Sequence, residues 1–153
     1  MSDTALSTPD QAPTPSKWML IMRMADDIDP AAMEDVDFDE MFASMGRYND
    51  SLIEAGVLVG AEGLDPAAGL VLDFAQTPPI VSDGPYGETK ELFNGYWILR
   101  TDTRDEAVAW ASKAPLGPGV KLELRRVASI TEFPADNEFV QRETAWRAAT
   151  GQL

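Results

Sequence analysis

Residues 82–91, Ser-Asp-Gly-Pro-Tyr-Gly-Glu-Thr-Lys-Glu, gather the densest set of side chains able to do chemistry. Asp83, Glu88 and Glu91 supply carboxylates, Lys90 an ammonium and Tyr86 a phenol. Glycine and proline bend the backbone among them, as turns that present groups to a ligand do. Two more residues belong with this set. Glu62 follows an apolar run at 57–61, and Arg125 falls on the polar side of an alternating run at 121–125. If they converge, they form a charged pocket for a small polar or anionic ligand gripped by Arg125 and Lys90. In an enzyme the same set would use Glu62 or Asp83 as the base and Arg125 to stabilise an oxyanion. Structural roles compete with each assignment. Gly84 and Pro85 shape a turn, Asp83 bonds its amides, and Tyr86 packs with a wet hydroxyl. Glu88, Lys90 and Glu91 stay solvated or pair with one another, and Glu62 pairs with Arg125 inside the fold.

Composition narrows the chemistry. The chain has 153 residues and contains neither cysteine nor histidine. Disulfides, thiolate nucleophiles and Cys-ligated zinc are excluded, as is the usual base near neutral pH. Asp35, Asp37 and Asp39 alternate like the start of a calcium loop. The pattern then fails, with Glu40 where such a loop needs glycine and Gly46 where it needs glutamate. No metal and no cofactor is expected. The net charge of −14, from 26 acidic and 12 basic residues, repels phosphate backbones and anionic lipid. Neither nucleic acid nor membrane is an expected partner. No apolar run is long enough to span a bilayer and no basic, then apolar, leader opens the chain. The expectation is a soluble cytoplasmic protein.

The elements that must position these groups follow from periodicity. Residues 1–16 are polar and read as a flexible tail. Trp18 to Met24 is an apolar strand. Phe38, Met41, Phe42, Met45, Tyr48 (or Asn49) and Leu52 lie along one helix face, with Asp37 and Glu40 as a capping box and Gly56 as the stop. Val57 to Ala61 is a second strand. Leu70, Leu72 and Phe74 alternate as a half-buried strand, Thr77-Pro78-Pro79 breaks it, and Ile80-Val81 resumes pairing briefly. Tyr96 to Arg100 is a central strand. Thr103 and Glu106 cap a short helix with Trp110 on its stripe, ended by Pro115. Leu122 and Leu124 face one way in a last strand, and Pro134 opens a tail helix that ends before Gly151. Two successive β-α-β units give an α+β, ferredoxin-like split β-α-β domain over 17–130, with helices on one face of an antiparallel sheet and a helical extension over 131–153. The strands are apolar on both sides, so the uncovered face predicts a homodimer built sheet to sheet.

Asp83-Gly84-Pro85-Tyr86, then Glu88-Thr89-Lys90-Glu91 and Gly95-Tyr96, resemble the signature of the DGPF branch of the YCII-related family, with Tyr86 where the usual form has Phe. Ala55-Gly56-Val57-Leu58 with Glu62-Gly63-Leu64, Glu106-Ala107 with Trp110-Ala111, and Leu122-Glu123-Leu124-Arg125 extend the resemblance over about Lys17 to Val127. It implies a dimeric α/β barrel. Some members carry a His-Asp pair proposed as catalytic, and a related enzyme removes chloride from a hydroxylated aromatic. Without histidine, that mechanism transfers to no residue here. The branch's frequent gene neighbours, sigma factors of the extracytoplasmic-function type, hint at regulation. Three functions follow in order: a small-ligand-binding or regulatory module, a carboxylate-based lyase, isomerase or dehydrochlorinase, and an interaction protein whose acidic segment 26–40 docks a basic partner.

Overall fold

The computed structural model describes residues 15–23, 29, 31, 34–65, 68–83, 93–117 and 119–153. Strand β1 (Ser16–Arg23) leads to helix α1 (Phe38–Glu54) and strand β2 (Leu58–Gly63). Strands β3 (Leu70–Asp73) and β4 (Ile80–Asp83) follow, then β5 (Phe93–Thr101), helix α2 (Arg104–Ala111) and β6 (Lys121–Arg126). A 3-10 turn (Ile130–Glu132) and helix α3 (Glu138–Ala149) complete the chain. The main sheet runs β2-β5-β1-β6, with antiparallel pairing throughout. With β3 and β4 set aside, this is the ferredoxin-like order, in which each β-α-β unit leaves a gap that a strand of the other fills.

The helices form where the sequence directs them. Asp37 Oδ1 accepts the Glu40 N–H at 3.0 Å and opens α1. The return half of the capping box is missing, because the Glu40 carboxylate accepts from Arg47 and Ser44 instead. Gly56, at φ 71°, takes the left-handed position past the helix end. In α2, Thr103 Oγ1 accepts from Glu106 N–H, and the Glu106 carboxylate accepts from the Asp102 amide.

Side chains on the helix-covered face of the sheet fix the core. Leu20, Leu52 and Leu99 are fully buried, with Tyr48, Val57, Trp97 and Ala111 packed around them. Along β5, Gly95, Trp97, Leu99 and Thr101 are buried and alternate with half-buried Asn94, Tyr96, Ile98 and Arg100. Register carries this parity across the sheet. Leu20 faces Trp97 and Leu124, whereas Ile21 faces Tyr96 and Glu123. Met19, Ile21, Tyr96 and Ile98 therefore share the face opposite α1 and α2, where Ile21 is only 7% exposed and the C-terminal residues reach in, the Gln152 carbonyl accepting from Lys17 and the Leu153 carbonyl from Arg100.

Two expectations need correction. Leu70 to Phe74 is not half-buried: β3 pairs only with β4, and Leu70, Leu72 and Phe74 are all exposed. Pro134 does not open the tail helix. Its carbonyl accepts from Asn137 N–H in a preceding turn, and the Asn137 side chain caps α3 by accepting from Phe139 and Val140. The polar tail expected over 1–16 lies outside the described residues up to position 14, and Ser16 already belongs to β1.

Candidate functional site

The sheet and α1 border an open cleft of about 390 Å3. From α1 come Phe42, Met45 and Asn49, spaced to share one helix face. From the sheet come Met22, Ala61, Gly63, Gly95 and Trp97, with Glu62 and Tyr96 at the same end. The cleft exists partly because Gly95 has no side chain. A Cβ there would sit 2.9 Å from the Glu62 carbonyl oxygen and 3.7 Å from Met22 Cε. Glycine thus lets β2 approach β5 and leaves the floor open.

One polar interaction organises this apolar wall. Trp97 Nε1–H donates to Asn49 Oδ1 at 2.9 Å. Because an indole nitrogen can only donate, the amide must present its oxygen to Trp97, which fixes the orientation of Nδ2. The Trp97 ring is held in turn by Tyr48, edge to face, with centroids 5.8 Å apart. Tyr48 O–H donates to the Trp110 carbonyl at 3.1 Å, and burial pushes the Tyr48 phenol up to about 12. A chain of contacts therefore runs from α2 through Tyr48 and Trp97 to Asn49.

Among the described residues, the structure does not bring Glu62 and Arg125 together. Glu62 lies on β2 and Arg125 on β6, the opposite edges of the sheet. Three strand spacings separate them, about 14 Å, so they form no interior ion pair. Arg125 instead pairs with Glu123 at 2.5 Å, and Arg23 shares the same carboxylate. Hydrogen bonds from Arg125 and then Arg23 hold the Glu123 carboxyl below its ordinary range. Glu62 does line the cleft, but it pairs in register with Tyr96, so the pleat directs its side chain to the face opposite Trp97. Asp83 ends β4 opposite Leu70, in the separate two-stranded ribbon. Tyr86, Glu88, Lys90 and Glu91 lie outside the described residues. Among the described residues, no group of three or more Asp or Glu could hold a metal ion.

Charge-led reasoning missed Asn49 and Gly95. Asn49 carried a signal: a carboxamide on an apolar helix stripe, four residues after Met45 and three before Leu52.

With this geometry established, comparison with known proteins places the chain. A family model for the YCII-related domain matches residues 19–131. The chain belongs to the YCII-related family. No curated protein matches it. The matched span runs from β1 past β6 and takes in every lining residue of the cleft. Among the described residues, no helix of this YCII-related protein is long and apolar enough to cross a membrane.

Proposed function

We propose that this YCII-related protein is a small-ligand-binding module whose site is the cleft between α1 and the sheet. The observation that carries the proposal is the pairing of an apolar wall with one oriented amide. Ligand pockets are mostly apolar, with few polar groups placed for orientation, and the volume lies within their usual range. Asn49 is that polar group, and Trp97 holds it. Within the family, the Asp83-Gly84-Pro85-Tyr86 motif supports the DGPF branch and, with it, a regulatory role.

Nile red, a neutral apolar dye, tests the site. Wild type is expected to bind it with enhanced emission, and Ala61→Trp, which fills the cleft wall, is expected to abolish that signal. Equal binding by both proteins would refute the assignment.

The sheet face opposite α1 and α2, with the C-terminal residues at its Lys17–Arg100 end, supports the homodimer. Met19, Ile21, Tyr96 and Ile98 sit at its centre, and the charged trio Arg23, Glu123 and Arg125 lies on the β6 side. That layout, apolar centre and charged rim, is that of a protein interface. Light scattering at micromolar concentration is expected to give twice the 16.7 kDa chain mass. A monomer mass would overturn this part of the proposal.

A further inference from the structure

The charge around the cleft narrows the ligand class. No lysine or arginine is among its described lining residues, and the Glu62 carboxylate, on the opposite face of the pleat, is the one charged side chain at its edge. The whole chain carries −14. Among the described lining residues, a carboxylate or phosphate entering this cleft would lose water without gaining a cation. The residue types alone point to a small polar or anionic ligand gripped by Arg125 and Lys90. Arg125 is committed to Glu123 on the far edge of the sheet.

The amide narrows the class further. One lone pair of Asn49 Oδ1 is taken by the Trp97 indole, which turns the amide so that its NH2 donor, Nδ2, is the group with both of its hydrogens left for a ligand. Its complement is an oxygen acceptor on an otherwise apolar body. Met22, Met45 and Phe42 supply polarisable, adaptable contact for such a body.

Building on the assignment of the cleft as the ligand site, we propose that it selects uncharged, mainly apolar carbonyl compounds, whose oxygen accepts from Asn49 Nδ2, and rejects carboxylates of the same size. Asn49 is then the specificity residue, and Trp97 is a positioning residue that acts through it.

Three probes of similar size separate the contributions: acetophenone, ethylbenzene and benzoate. Binding is read by NMR from the methyl groups of Met22 and Met45 and the indole N–H of Trp97. Acetophenone is expected to bind about fivefold more tightly than ethylbenzene, the factor that one neutral hydrogen bond supplies. Benzoate is expected to be weaker than acetophenone by about tenfold or more. Asn49→Asp keeps an oxygen for Trp97 but exchanges the donor for an acceptor, so the acetophenone-to-ethylbenzene ratio should fall to about one. The indole N–H resonance reports whether that variant keeps its internal bond. Benzoate binding as tightly as acetophenone, or a ratio unchanged in Asn49→Asp, would overturn the selectivity while leaving the cleft a binding site. If none of the probes moves the Met22 and Met45 methyls, the binding site itself is refuted, and the selectivity with it.

Discussion

The Asn49–Trp97 hydrogen bond makes a quantitative prediction for stability. In Asn49→Leu the indole N–H of Trp97 loses its acceptor inside a residue that is only 5% exposed. Orphaning a buried donor costs about 1–3 kcal/mol. Trp97→Phe removes that donor, together with part of a ring packed against Tyr48 and Leu20. Loss of buried volume makes this change costly by itself, about 1–3 kcal/mol. The informative quantity is the coupling. Once residue 97 is Phe there is no N–H to orphan, so adding Asn49→Leu should cost little. The double variant is therefore expected to lie about 1–2 kcal/mol above the sum of the singles in stability. Urea unfolding followed by far-ultraviolet circular dichroism gives all four stabilities without using Trp97 fluorescence. If Asn49→Leu costs the same in both backgrounds to within about 0.5 kcal/mol, the bond does not hold the amide, and the argument for a fixed Nδ2 falls.

Three further outcomes are expected. The Tyr48 phenol, raised to about 12 by burial, favours the folded state while protonated, so its contribution is intact below pH 10 and is lost as pH rises through about 12. Alkaline melts should show up to about 3 kcal/mol of this loss, and Tyr48→Phe should remove the latest step of the tyrosinate absorbance titration. Gly95→Ala forces a Cβ against the Glu62 carbonyl, and edge strand β2 must shift outward, at a cost of about 1–3 kcal/mol readable as a lower Tm. Glu132, held down to about 2 by Arg126 and the Ser129 amide, should stay ionised until pH falls through that value, as followed by its carboxyl carbon resonance; a midpoint in the ordinary carboxylate range would show that the pair does not persist.

The chain's local rules were plain in its residues. The stripe from Phe38 to Leu52, the cap at Asp37 and the stop at Gly56 set α1 before any packing is considered. The two β-α-β units set the sheet order. Which face of β5 meets the helices is a different matter. Gly95, Trp97 and Leu99 alternate with Tyr96 and Ile98, and both sets are apolar, so alternation does not say which side is covered. The expected site lies on the face of Tyr96, whereas the cleft proposed as the ligand site lies on the face of Trp97. The separation of Glu62 from Arg125 was equally hidden, because both fall on the side opposite α1 and α2 and only strand order shows them at opposite edges. Pro134 misled because a proline at a first turn and an asparagine at a cap are both valid starts, and the Asn137 side chain reached the orphan amides.

The β3–β4 ribbon has a consequence for how this protein opens. Among the described residues it joins no strand of the main sheet, and Leu70, Leu72 and Val81 gain little burial from it. An isolated two-stranded ribbon is marginal in water by itself. Its backbone bonds can break without disturbing Leu20, Leu52 or Leu99, so it forms a cooperative unit of its own. Its amides should therefore trade hydrogen for deuterium long before those of β1 and β5. Loss or lengthening of the ribbon changes the path between β2 and β5, not the pairing of the four strands that carry the cleft.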